Sequence, residues 1–190
     1  MFSLYAALVG AADKIVSIDE FMGKGSPTGN YDRLCQLLET LKLTKKITVI
    51  KADGVTHDFL GQKFDVIYCS YVLHHIFPKT KKDDTAAIIN LFEKLRALLN
   101  PGGIIIVHEI MRHNFAEYLP RRFSPFQVNW KTKRDASEWK QFFHQAGFKR
   151  VNTRYYVPFF FSYSPFRSIL SNKVAAFFLT SRYVLECKTT

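Results

Sequence analysis

Short apolar runs with the composition of buried strands alternate along this chain with longer stretches whose apolar residues recur at helical spacing, and that alternation leaves few folds open. Residues 14–19 (KIVSID), 47–52 (ITVIKA), 64–70 (FDVIYCS) and 104–110 (IIIVHEI) read as strands. Between them, 31–41 reads as a helix with Leu34, Leu37, Leu38 and Leu41 on one face, and 85–99 as another. Strands this apolar have no wet face, so they call for a mostly parallel, doubly wound α/β sheet with helices on both sides. Ligands of such sheets sit at the carboxyl ends of the strands, near the point where strand order reverses.

The ends of the chain add detail. Phe2, Leu4, Tyr5, Leu8 and Val9 recur at helical spacing up to Gly10, and 23–30, rich in Gly, Ser and Pro, reads as a loop. Asn100-Pro101-Gly102-Gly103 is expected to end a helix and turn the chain. In the C-terminal third, 136–146 (ASEWKQFFHQA) reads as a helix capped by Gly147. Strands at 148–157 and 180–188, joined by an aromatic-rich connection, are expected to pair antiparallel at the sheet edge. With 190 residues, 47% of them hydrophobic, the chain is expected to form a single domain, 1–190, around one core.

Charge and cysteine usage bound the partners. The net charge of +11 suits an acidic partner, nucleic acid or an anionic membrane surface. The cations are dispersed, however, in short groups at 79–82, 121–122 and 131–134 of the kind that ordinarily face solvent, and no nucleic-acid motif accompanies them. Cys35, Cys69 and Cys187 have neither zinc-site nor disulfide-framework spacing, which points to a reducing, cytoplasmic setting. Neither a secretory pattern nor an apolar run of about 18 residues is present.

Several residues fall where such a sheet does its chemistry. Asp19, with Glu20 beside it, ends a strand, where a carboxylate can accept from both hydroxyls of a ribose or simply cap a turn. Asp53 and Gly54 end the next strand, where an acid can accept from an adenine amino group while glycine lets the ring approach. Phe21 and Met22 suit a purine face or plain core. His74 and His75 follow the strand at 64–70; adjacent helical residues diverge by about 100°, so they suit one metal poorly. One of them orients or deprotonates a substrate, or is a buried structural histidine. His108 and Glu109 point to opposite faces of their strand, with Glu109 nearer its carboxyl end. No Ser-His-Asp or Cys-His arrangement and no phosphate-binding lysine loop occurs, which weighs against hydrolase and triphosphatase chemistry.

Taken in order, VSIDEF, IKADG, FDVIYCSYVLHHI, LLNPGGIIIVHE and EWKQFFHQAGFKRV resemble the class I S-adenosylmethionine-dependent methyltransferases that act on small molecules. The resemblance covers roughly residues 1–156, and the run from FDV through LHH to NPGG is its most specific part. It implies a Rossmann-like fold, S-adenosylmethionine as cofactor, and in-line transfer of the sulfonium methyl to a nucleophile, with positioning as the enzyme's main task. It places Asp19 on the ribose and Asp53 on the adenine, with Glu20, Phe21 and Gly54 beside them, and Cys69, Ser70 and Tyr71 along the methionine end. Where the acceptor must lose a proton, His75, His74 and Glu109 are the candidates. The family's first strand and Gly-rich turn belong immediately before Phe2. Either the natural protein is longer or the element has been lost; the chain as given is expected to form a sheet lacking a central strand between 14–19 and 64–70, with unpaired backbone at the gap unless another segment or chain fills it, and weak or absent cofactor binding.

A small-molecule acceptor is the expected partner. The stretch Tyr155-Tyr156-Val157-Pro158-Phe159-Phe160-Phe161, followed by Tyr163 and Phe166, suits a lid over a hydrophobic acceptor, a peripheral membrane contact, or ordinary core and edge packing. Two rival readings stand beside it. A nucleic-acid methyltransferase or binding module would bind RNA or DNA with strong salt dependence, and a non-catalytic protein of the same fold would take up no cofactor.

Overall fold

A computed structural model describes residues 2–22, 29–79, 84–119, 129–157 and 166–189. The chain divides into two compact units, Met1–Leu60 and Gly61–Thr190.

The first unit contains α1 (Phe2–Leu8), β1 (Ile15–Asp19), α2 (Asn30–Thr40) and β2 (Ile47–Lys51). β1 and β2 are parallel and in register from Ile15↔Ile47 to Asp19↔Lys51. Leu4, Ala7, Leu38, Leu43 and Ile47 form the core, with Ile15, Leu34 and Val49 packed against it. The inward stripe of α2 is narrower than its leucine spacing predicts: Leu38 is buried, while Leu37 and Leu41 are each 40% exposed. The cause is the turn that follows. Lys42 adopts φ 55° and the Leu43 N–H donates to the Leu38 carbonyl at 2.8 Å, so Leu43 takes the inward place.

The second unit contains β3 (Phe64–Ser70), α3 (Leu73–Ile76), α4 (Thr85–Ala97), β4 (Leu99–Ile110), α5 (Ala136–Gln145), β5 (Arg150–Tyr155), α6 (Phe166–Leu170), α7 (Lys173–Leu179) and β6 (Arg182–Lys188). Its strand order is β3-β4-β6-β5; β3 and β4 are parallel, and β6 runs antiparallel to both β4 and β5. The expected antiparallel C-terminal pair is therefore present, with β5 at the edge. Ile105, Val107 and Glu109 of β4 and Tyr183, Leu185 and Cys187 of β6 point to the fully buried face. α4 and α5 pack on the sheet and on each other, bringing in Ile88, Phe92, Trp139 and Phe143.

Together the units give the α/β organisation expected, parallel strand pairs followed by antiparallel strands. Among the described residues β1 pairs only with β2, and β3 only with β4 on one of its edges.

Two local expectations need correction. Asn100-Pro101-Gly102-Gly103 does not stand apart as a turn; β4 begins at Leu99, pairs there with Phe64, passes an irregularity, and resumes its ladder at Ile104. Gly103 fits closely there: a Cβ would lie 3.0–3.2 Å from the carbonyl oxygens of Asn100, Phe64 and Asp65, so the backbone around it would have to give by a few tenths of an ångström. The cationic group 131–134 is not wholly a solvated surface: Lys133 and Arg134 are buried, and Arg134 lies over the rings of Trp139 and Phe142. The connection between the last two strands holds the helices α6 and α7. Residues 23–28, 80–83, 121–122 and 158–165, to which the loop, cationic and aromatic readings also extended, lie outside the described residues.

Candidate functional site

In the first unit, the chemistry-bearing residues gather at the carboxyl ends of β1 and β2. Asp19 is exposed; its Oδ1 accepts from the Phe21 N–H at 2.7 Å, and its backbone carbonyl accepts from the Ala52 N–H. That Asx turn forces Phe21 into the left-handed region at φ 52°, and the ring is buried edge-on against Tyr31. Glu20 and Met22 face solvent. Asp53 folds the corresponding turn after β2, accepting from the Val55 N–H at 2.8 Å and the Thr56 hydroxyl at 3.0 Å. A Cβ on Gly54 would meet only the Ile18 side chain, at 3.7 Å, an ordinary contact. The protein itself therefore has no packing need for glycine at 54.

In the second unit, Ser70 and His108 are register partners at the carboxyl ends of β3 and β4. Glu109, on the buried face, is almost fully enclosed. Its Oε1 accepts from the backbone N–H of Leu73 at 2.9 Å and of His74 at 3.4 Å, and its Oε2 lies 2.5 Å from His74 Nδ1. One carboxylate thus anchors the start of α3 and the buried imidazole together. His75 is exposed, its ring centroid 4.2 Å from that of His74. Burial, then the neighbouring His74 and Lys133, hold its pKa below the ordinary value, so the imidazole is neutral at neutral pH.

On the other face, Tyr71 also adopts a left-handed conformation, φ 52°, and its hydroxyl lies 2.7 Å from His108 Nε2. Tyr156 stacks on the His108 ring at 4.5 Å, and the Arg182 guanidinium sits over the Tyr71 ring at 5.7 Å. β5 runs parallel to β4 and β6 against it, so Tyr156 and Arg182 reach the same sheet end as Tyr71 and His108. Burial, then Arg182, lower the His108 pKa to about 4, while burial raises that of Tyr71 to about 12. Both groups are neutral at neutral pH, so a single hydrogen bond between uncharged partners joins the tyrosine hydroxyl and the imidazole. Cys69, beside them, is kept a thiol by burial, its pKa raised to about 12.

His108 carries a pH signature with a definite sign. An unfolded histidine binds its proton near 6.5 and the folded one only near 4, so between these values the unfolded chain holds more protons and stability falls with falling pH. The urea midpoint is expected to drop from pH 6.5 to about 4, and to drop less in His108→Gln; an identical profile would assign the titration to other groups.

The structure thus brings Asp19, Glu20, Phe21, Asp53 and Gly54 to one sheet end in the first unit, and Cys69, Ser70, Tyr71, His74, His75 and Glu109 to one sheet end in the second. Sequence reasoning missed Tyr156 and Arg182 as companions of Tyr71, and Lys133 as a buried cation near His75. Only the strand order β3-β4-β6-β5 unites the first three, and no spacing along the chain announces it.

The fold and these strand-end groups define a doubly wound α/β protein of the kind that binds ligands at the carboxyl ends of its strands. The family model described as a methyltransferase domain matches residues 12–153, and the chain belongs to that family. No curated protein matches it. Among solved structures it is similar to PigF with SAH (15% identity, TM-score 0.56, covering 97% of this chain and 51% of that one). An O-methyltransferase family protein from Burkholderia thailandensis is similar at 13% identity and TM-score 0.54, covering 95% and 52%. A methyltransferase from Pyrococcus furiosus is similar at 16% identity and TM-score 0.55, covering 100% and 68%. The chain spans about half the length of the first two.

Proposed function

We propose that this chain binds S-adenosylmethionine and takes part in methyl transfer to a small hydrophobic molecule. The observation that carries the reading is the pair of carboxylates, Asp19 and Asp53, at adjacent carboxyl ends of parallel strands, with the open glycine position 54 between β1 and the second turn. Asp19 holds the ribose hydroxyls, its second oxygen having no hydrogen-bond partner among the described residues. Asp53 and the space at Gly54 take the adenine, with Glu20 and Phe21 framing that end. Cys69, Ser70 and Tyr71 line the methionine end, where a thiol that burial keeps protonated does not compete for the methyl group.

The cofactor supplies an already activated methyl, so the protein's part is to hold and orient the acceptor. The aromatic surface of Tyr71, His108 and Tyr156 suits a flat or apolar acceptor better than a charged one. His75 is neutral and accepts the acceptor's proton where one must leave. His74 and Glu109 position it, through the carboxylate clamp on the start of α3. Among the described residues no helix is long and apolar enough to cross a membrane.

Calorimetric titration of S-adenosylhomocysteine into the folded chain tests this. Saturable binding is expected, weakened about tenfold by Asp19→Ala, the order of one lost charge-assisted hydrogen-bond pair. A chain shown by circular dichroism to be folded that takes up no ligand would exclude the reading for this chain.

A further inference from the structure

We infer that α6 and α7 form a surface that rests on an anionic membrane. α7 turns Ala176 fully inward, and Val174 and Phe178, one helical turn apart, outward at 69% and 57% exposure. In α6, Ile169 is 64% exposed, and Leu179 at the end of α7 is 48% exposed. Apolar side chains of this size are unremarkable singly, but here they lie on two consecutive helices and continue onto a neighbouring turn. Phe178 meets Phe115 at 5.5 Å between ring centroids, and Phe177 meets Tyr118 at 6.3 Å, with Tyr118 itself exposed.

Charge selects the occupant. Arg167 and Lys173 are exposed on the same two helices, and no Asp or Glu occurs anywhere in residues 139–185; Glu117, beside Tyr118, is an acid at the margin. Exposed apolar side chains on two consecutive helices that also carry exposed cations, with an exposed amphipathic tyrosine on the adjoining turn, match the interface of a bilayer carrying anionic headgroups. A nucleic acid would use the cations and leave the apolar residues idle. The inference does not rest on cofactor binding, since none of the residues it uses is assigned to the cofactor or the acceptor.

Co-sedimentation with phosphatidylcholine vesicles, with and without about 30 mol% phosphatidylglycerol, tests it. The chain is expected to partition at least tenfold more strongly onto the anionic vesicles, less so in about 0.5 M salt. The double variants Ile169→Asp/Phe178→Asp and Arg167→Gln/Lys173→Gln are each expected to lose at least tenfold while melting as the parent does. If the aspartate variant does not fold, Ile169→Trp replaces it: a blue shift of its emission on anionic vesicles supports the inference, and an unmoved spectrum overturns it. Absence of vesicle binding, or binding that neither variant alters, overturns it as well. So does uptake of a single-stranded RNA oligonucleotide that only the arginine–lysine variant loses, which would make the face a nucleic-acid surface. Reversible dimerisation that only the aspartate variant abolishes, without vesicle uptake, would make it a contact between two copies of this chain.

Discussion

Glu109→Ala is expected to cost the second unit about 3–5 kcal/mol, the order for orphaning several buried hydrogen-bonding groups at once. The carboxylate is 1% exposed and is met by the backbone N–H groups of Leu73, His74 and Ile110 and by the His74 ring. Alanine leaves these groups without that partner where water does not reach, so the loss is the desolvation penalty of the orphaned groups more than the strength of any one bond. Against a total of about 5–15 kcal/mol for a typical domain, this is a large fraction. The urea midpoint should fall with an unchanged m-value. Glu109→Gln, which keeps an acceptor for the Leu73 N–H, should lose less, and His74→Leu in the Glu109→Ala background should recover part of the loss by removing the stranded imidazole. A decrease under about 1 kcal/mol in Glu109→Ala would mean that the pair is solvated and does not anchor α3.

How far the sequence discloses such a clamp depends on the kind of pattern involved. β3 was legible to the residue, Phe64–Ser70, and β1 and β2 to within one, because a run of apolar residues bounded by turn formers has one economical reading. α5 was legible for a second reason. Gly147 sits just past its end at φ 89°, and a Cβ there would fall 1.7 Å from the Arg96 guanidinium, so glycine marks both the backbone reversal and a close approach. α6 and α7 were not legible, because their outward faces are as apolar as their inward ones and no helical period emerges from such a segment. The alternation along β4 separates His108 from Glu109 but is symmetric between faces; only the packing of α4 and α5 decides that Glu109 lies with Ile105 and Val107. Acids at strand ends could be named from local sequence, since position along a strand is local information. The grouping of Tyr71, His108, Tyr156 and Arg182 could not, since it depends on β6 inserting between β4 and β5.

The adjacent phenylalanines of α5 separate helical period from composition, and their alanine variants should differ sharply. Inward positions run Ala136, Trp139, Phe143 and Ala146, which places Phe143 in the core and leaves Phe142 half-buried. Phe143 stacks on Phe92 at 3.8 Å with the rings nearly parallel, and meets Phe148 edge-on at 5.3 Å. Phe143→Ala therefore removes a fully enclosed ring that joins α4, α5 and the approach to β5, and is expected to cost about 3–5 kcal/mol in transfer energy and residual cavity. Phe142, with one edge toward Trp139 and the Arg134 guanidinium over its face, should cost about 1 kcal/mol when truncated. Chemical denaturation of both variants is the check. Comparable losses would mean that α5 is rotated from the orientation described. With that rotation the stacked pair with Phe92, and the packing that holds the Glu109 face dry, would have to be redrawn.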